Sequence, residues 1–320
     1  MNQTAGGPGA SGPYASNPYA GSHSACGPGD GGQRVLGVDV GGSSVKMGVL
    51  DQDGGVAGVS KAESIANEPE KMVELICRLA SGYGADIVGV GTAGMVNHKT
   101  GLVTASNLGW SGLALRRMLE GGLNKPVWVD NDAQAALMAE VHSGVCAGAR
   151  CAVYVSLGTG VGGALLIDGK PWRGGDNTAF ELGHIITHAD GVPCTCGRRG
   201  CFEGYASSTA LSRMAGGKSA RAVIDGAVAG NPEDCAIFEA YIHELGIGLI
   251  SAISLFNPEV VAIGGGVSAA GDALIGRLRR EMEENYFTAP GAYDVRIEMA
   301  AHRNNAGMIG AAALAALHLA

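Results

Sequence analysis

The chain has 320 residues, 46% of them hydrophobic and 16% charged, with a net charge of −8. That length allows one large or two modest domains with an ample core, and the acidic balance excludes a general affinity for nucleic acid phosphates. No uninterrupted apolar run reaches the roughly 18–20 residues of a membrane span, and the N-terminus lacks the basic segment, apolar run and cleavage box of a secretion signal, so a cytoplasmic protein is expected.

Residues 1–33 are rich in Gly, Ala, Ser and Pro and carry one charged residue, Asp30. With too little apolar area to offset its ordering entropy, this stretch is expected to be a disordered tail, and order is expected to start near Arg34. From there Val35 to Val40 and Val45 to Leu50 read as two antiparallel strands joined through Gly41-Gly42-Ser43-Ser44. Pro69 to Gly82 reads as a helix, with Met72, Ile76, Leu79 and Ala80 on one face and a proline in its first turn. Ile87 to Gly91 is a buried strand running into the loop TAGMVN. Val127 to Val129 is another, ending at the polar run Asp130-Asn131-Asp132, and Ala133 to Glu140 continues as an alanine-rich helix.

The opening pattern then recurs. VSLGTGVGGALLIDG lies over VDVGGSSVKMGVLDQDG: strand, glycine turn, strand, Asp-Gly turn. A glycine loop between adjacent strands is neither a Walker A loop nor a dinucleotide fingerprint, because both of those run strand, loop, helix. Two such hairpins suggest two related α/β halves, each presenting backbone N–H groups and a hydroxyl, Ser43 or Thr159, to phosphate. A third loop, Gly264-Gly265-Gly266, ends the buried strand Val260 to Ile263 before a helix expected from about Ser268. Glycines there leave room for a flat base, as beyond the carboxyl ends of strands in open α/β sheets; a turn set by packing alone is the plainer reading.

Between the second and third loops lies the most specific segment, ELGHIITHADGVPCTCGRRGCFE. His184, Cys194, Cys196 and Cys201 offer one imidazole and three thiolates, the donor set of a closed structural zinc site with no open position for catalysis. A disulfide among these cysteines would need an oxidising compartment. By spacing alone His188 rivals His184 as the fourth ligand. Glu181 and Glu203 bracket the loop as free carboxylates, either solvated surface charges or acceptors for a ligand rich in hydroxyls.

ELGH with CTCGRRGCFE, together with DVGGSS, DNDAQAALMAE, SLGTGVGG, IGGGVS and the terminal GMIGAAALAAL, resembles the ROK family of sugar kinases and repressors. The resemblance covers nearly everything after residue 34. It implies the actin-like ATPase (ribonuclease H-like) fold: two α/β domains around a cleft, a small one over 34–128, a large one over 129–303 holding the zinc loop, and a last helix, 304–320, returning to the first. It further implies ATP and Mg²⁺ deep in the cleft, a hexose beside them, structural zinc, and a homodimer or dimer of dimers.

By position, Asp132 matches the family's catalytic base; Asn131, Glu181, His184 and Glu203 match sugar ligands, and Gly94 and Asn107 match loops lining the sugar. Asp39, Gly41, Gly42, Ser43, Gly158, Thr159, Gly160, Gly264 and Gly265 fall on the phosphate, magnesium and nucleotide side. Without the family, Asp132 also reads simply as an N-terminal helix cap. Two departures stand out. Ser43 and Ser44 replace the threonine and lysine usual after GG, which removes a charge from that loop, and SNLGW lacks the family's proline beside Asn107. The resemblance implies glucose phosphorylation, with N-acetylmannosamine, N-acetylglucosamine, allose or fructose as rival acceptors. A sugar-responsive repressor is the further alternative, disfavoured because a glycine-rich tail stands where such proteins carry a helix-turn-helix.

Overall fold

The computed structural model describes residues 33–51, 53–98, 100–285 and 294–319. The expected tail therefore lies outside the described residues, save for Gln33. The first half runs β1 (Val35–Val40), β2 (Ser44–Leu50), β3 (Val56–Glu63), α1 (Pro69–Ala80) and β4 (Ile87–Thr92). It continues with β5 (Met95–Asn97), β6 (Leu102–Ala105), β7 (Trp110–Leu113), α2 (Leu115–Leu123), β8 (Val127–Asn131) and α3 (Asp132–Ser143). The second half follows with β9 (Ala152–Leu157), β10 (Val161–Ile167), β11 (Lys170–Pro171), α4 (Glu203–Ala206), α5 (Ser208–Met214), α6 (Ala220–Val228) and α7 (Pro232–Phe256). The chain closes with β12 (Val260–Gly264), α8 (Asp272–Asn285), β13 (Arg296–Met299) and α9 (Ala306–Leu319).

Two five-stranded sheets carry the same design. The first has the order β3-β2-β1-β4-β8 and the second β11-β10-β9-β12-β13. In each, a glycine hairpin is antiparallel and its first strand continues into two parallel neighbours. The repeat legible in the sequence is thus a repeat of sheet topology. β8 stays paired with β4 as far as Asn131, so the first sheet runs past the boundary expected at 128. A separate three-stranded sheet, β5-β6-β7, was not visible in the sequence pattern because its strands are only three or four residues long.

Strand periodicity explains the layering. On β1, Leu36, Val38 and Val40 enter the core beneath α1 and α2, while Val35, Gly37 and Asp39 point to the other face. That other face receives α9. A Cβ on Gly37 would sit 1.9 Å from the carbonyl oxygen of Met308, and one on Gly89 of β4 would sit 1.9 Å from that of Ala311, so only glycine lets the helix lie this close. α9 also packs on α3, whose alanine-rich faces pass the contact on to β9 and β10. The last helix returns to the first sheet, as the family resemblance implies.

Two helix ends differ from expectation. α1 stops at Ala80 and tightens into a 3₁₀ turn through Tyr83, where left-handed Gly84 ends it. After β12 comes a 3₁₀ turn, Gly266–Ala270; Gly271 at φ +63° breaks the path and α8 begins only at Asp272. α7 is apolar and long enough, by composition, to cross a bilayer, but Phe238, Tyr241, Leu245 and Leu249 are buried in the second half's core.

Candidate active site

Where the two halves meet is a cavity of about 480 Å³. The first sheet contributes Asp39 and Lys46, the second Ser156 and the loop Gly158-Thr159-Gly160. Asp132 comes from the start of α3, Glu203 from the end of the cysteine loop, Gly265 from the third glycine loop, and Arg303, Asn304 and Gly307 from the turn into α9. Asp39, Asp132, Gly158, Thr159, Gly160, Glu203 and Gly265 were expected at the site from sequence, and they share this one cavity.

Asp39 and Ser156 occupy equivalent positions, each the fifth residue of its strand and each on the face turned toward the cavity. Lys46 stands directly opposite Asp39 in the hairpin register, with its Nζ 3.5 Å from the carboxylate. The charge missing after Gly41-Gly42 is thus supplied from β2. That register also marks Lys46 in the sequence, since a four-residue loop over 41–44 sets residue 39 against 46. Burial raises the pKa of Asp39, and Lys46 partly offsets the rise.

Asp132 follows a well-formed helix start. The Asn131 side chain accepts from the N–H groups of Ala133 at 2.9 Å and Gln134 at 3.3 Å, and its Nδ2 donates to Gly94 O at 2.8 Å. Asn131, not Asp132, is therefore the cap. Asp132 is left facing the cavity with its surface open there, and desolvation by the protein packed around the carboxyl lifts its pKa to about 6. The Asp39 charge adds to the rise, and hydrogen bonds from the Ala133 backbone and the Asn131 side chain work against it.

One residue earlier, Asp130 is fully buried. Its carboxylate pairs with Arg173 at 2.6 Å, lies 3.3 Å from both His98 Nε2 and Trp128 Nε1, and accepts from Asn131 N–H at 2.9 Å. Burial works to raise its pKa, but His98 and Arg173 outweigh that and hold it low.

The cysteine loop gathers the donor set of a metal site. Among the described residues His184, Cys194, Cys196 and Cys201 bring four donor atoms within 4.8 Å of one another. Cys194 Sγ is 3.7 Å from His184 Nδ1 and Cys196 Sγ is 3.6 Å from Cys201 Sγ. A tetrahedral zinc with bonds of about 2.3 Å to sulfur and about 2.0 Å to nitrogen asks for edges of roughly 3.5–3.8 Å. His188 is occupied elsewhere: it stacks on Tyr205 at 3.9 Å and its Nε2 lies 3.5 Å from Glu244 of α7. Gly200 at φ +74° lets the loop fold back until it meets the His188 carbonyl, where no Cβ would fit.

Glu203 connects this loop to the second hairpin. Its Oε2 accepts from Val161 N–H at 3.0 Å, and its Oε1 lies 4.0 Å from Cys194 Sγ. A side chain on Gly160 would collide with Glu203, so the glycine is what allows the carboxylate to brace the loop. Glu181 and His184 lie behind Glu203, outside the lining of the cavity. Phe180, left-handed at φ +66°, sets the entry to Glu181.

The remaining expected residues are not brought to the cavity. Gly41, Gly42 and Ser43 lean toward the first half: Ser64 Oγ donates to Gly41 O at 2.6 Å, Ser64 N–H donates to Ser43 O at 3.2 Å, and Gly42 abuts Asn107. Gly94 O accepts from Asn131 Nδ2, neither residue lining the cavity, and Gly264 lies under the Tyr154 hydroxyl. Lys46, Tyr154, Ser156, Arg303, Asn304 and Gly307 line the cavity without having been expected as site residues, although Ser156 and Gly307 lie within the motifs SLGTGVGG and GMIGAAALAAL.

Residues 35–317 match the ROK family profile. The glucokinase of Streptomyces coelicolor is 34% identical over 308 residues, covering 88% of this chain and 97% of that protein. The glucokinase of Halalkalibacterium halodurans is 31% identical, covering 86% and 92%. Among solved structures, a ROK family glucokinase from Streptomyces griseus in complex with glucose and AMPPNP superposes with a TM-score of 0.79 at 31% identity, covering 89% of this chain and 99% of that one.

Proposed function

The chain belongs to the ROK family, and on that footing we propose that it transfers the terminal phosphoryl group of ATP to the 6-hydroxyl of a hexose, glucose being the preferred acceptor. The observation that carries the reading is Asp132: a carboxyl free of the helix cap, open to a cavity, with its pKa raised to about 6, opposite a bare glycine loop. Such a group is ionised at neutral pH yet basic enough to take a proton from an alcohol as it becomes a nucleophile.

Phosphoryl transfer asks the protein chiefly to position and to stabilise charge. The N–H groups of Thr159 and Gly160 face the donor's phosphates, while the Gly158 N–H closes the loop onto Gly160 O, and Gly265 gives the base a surface without side chains. Asp39 offers a carboxylate oxygen to Mg²⁺, which when bound neutralises charge on those phosphates. The hexose lies between Asp132 and the zinc loop, with Asn131, Glu181 and Glu203 as hydroxyl partners and Gly94 and Asn107 lining the first half. His184 would hold zinc through Nδ1 and leave Nε2 for a sugar hydroxyl, so that the metal would fix the ring's orientation. The sugar oxygen forms its bond to the terminal phosphorus, the bond from that phosphorus to the ADP oxygen breaks, and the hydroxyl proton passes to Asp132. The first sheet with the helices packed on it, and the second sheet with its own, form the two bodies whose approach closes the cavity.

Replacing Asp132 by Asn keeps the shape and removes the base. Turnover is expected to fall by about 10²–10⁴, while glucose binding, followed by calorimetry, changes by less than about threefold. A variant keeping a tenth of wild-type kcat would assign the proton to another group.

A further inference from the structure

Arg303 stands out among the cavity residues for its backbone. It is in the left-handed region at φ +45°, a conformation that suits glycine and costs an arginine. Strain of this kind persists only where the surroundings fix it, and here they do so from both sides. Fully buried Glu140 of α3 accepts from the N–H groups of Ala301 and His302, each at 3.0 Å. His302 Nε2 lies 3.1 Å from Ser143 Oγ, and Lys46 Nζ donates to Asn304 O at 3.2 Å. Arg303 is the residue between these anchors, and it lines the cavity with Asp132 and Lys46.

The charges there are unbalanced. Asp39, Asp132 and Glu203 are acidic, and Lys46 is engaged with Asp39. The Arg303 guanidinium makes no hydrogen bond or ion pair with the described residues, although carboxylates line the same space. Arg303 is exposed and lines the cavity together with the Gly158-Thr159-Gly160 loop. A planar cation with several donors, held unpaired beside a glycine phosphate loop, suits the non-bridging oxygens of a phosphate chain.

We propose that Arg303 contacts the donor's phosphates and stabilises the phosphoryl group during transfer. This rests on the kinase reading above. The contact adds no bond-making step: as the sugar oxygen bonds to phosphorus and the ADP oxygen leaves, the guanidinium holds charge on the equatorial oxygens.

The test uses the full chain with Mg²⁺–ATP and glucose. Arg303→Gly removes the guanidinium and accepts the positive φ, so its thermal midpoint is expected to equal or exceed wild type. Its kcat/KM for ATP is expected to fall by about tenfold to a hundredfold, with KM for glucose within about twofold. Arg303→Lys, which keeps the charge but not the fork, should recover part of the loss. If Arg303→Gly is as stable as wild type and its kcat/KM for ATP stays within about twofold, Arg303 does not touch the phosphates and the proposal fails. A loss in both variants matched by a lower thermal midpoint would make Arg303 a structural residue and also overturn it. A wild-type enzyme without ATP turnover would instead remove the kinase reading itself, an outcome separate from either result.

Discussion

The hairpin of β1 and β2 and the hairpin of β9 and β10 hold the same place in their sheets, yet they meet the cavity differently. The first sends in two opposed side chains, Asp39 and Lys46, while its loop, Gly41 to Ser44, turns away onto Ser64 and Asn107. The second sends in the loop itself, Gly158 to Gly160, and at the position equivalent to Asp39 offers only the hydroxyl of Ser156. A duplicated scaffold has divided its work: charge from one copy, bare backbone from the other. The difference follows from what comes next in the chain. After β10 and β11 the cysteine loop returns Glu203 to brace the second glycine loop, whereas β3 holds the first loop against its own half.

The largest way to break this asymmetry is through the cysteine loop, whose Glu203 braces one hairpin only. Cys201→Ser removes a buried donor of the proposed zinc site. Elemental analysis is expected to find about one zinc per wild-type chain and little in the variant, with glucose turnover reduced at least about a hundredfold. Retained zinc and activity would separate the loop from the sugar site.

A sharper contrast uses one added methyl in each loop. In Gly160→Ala the new Cβ falls 2.3 Å from Glu203 Oε2, so the brace must move. KM for ATP is expected to rise about tenfold or more, the scale of a misplaced positioning element. In Gly42→Ala the Cβ meets Asn107 Nδ2 at 3.2 Å, a contact the side chain can relieve. Its KM for ATP is expected to stay within about twofold on the same grounds. Equal effects in steady-state kinetics would show that both loops hold phosphate.

The pH profile probes the charges of the first hairpin. Asp132 must be unprotonated to act, and its pKa is raised to about 6 by burial and by Asp39, with Lys46, Glu203 and Arg303 facing the same cavity. The profile of kcat/KM is therefore expected to be flat above this value and to fall as pH drops through it, approaching about tenfold per unit. Removing the Asp39 charge by Asp39→Asn should move the inflection down, because the like charge raises it.

Much of this organisation was legible in the sequence, for reasons that also explain what was hidden. The recurring strand, glycine turn and strand gave the duplicated sheets because local hydrophobic patterning decides strand pairing in a hairpin. The histidine and cysteine spacing gave the donor set, but spacing could not choose between His184 and His188. That choice comes from Tyr205 and from Glu244 of α7, distant in sequence from the loop. Lys46 could have been found from the register opposite Asp39. Arg303 could not, because its place depends on the buried Glu140 more than a hundred residues earlier. The direction of the first loop was equally hidden, since Ser64 and Asn107 lie beyond the hairpin that contains it.

A site that pairs with hydroxyls beside a phosphate loop discriminates strongly against acceptors that lack or displace them. The direct measurement is ADP release with Mg²⁺–ATP over glucose, mannose, fructose, allose, N-acetylglucosamine and N-acetylmannosamine, with the product phosphate position assigned by NMR. The account predicts the highest kcat/KM for glucose, with glucose 6-phosphate as product. A higher value for another of these sugars would overturn the acceptor, and no turnover on any of them would contradict the account as a whole.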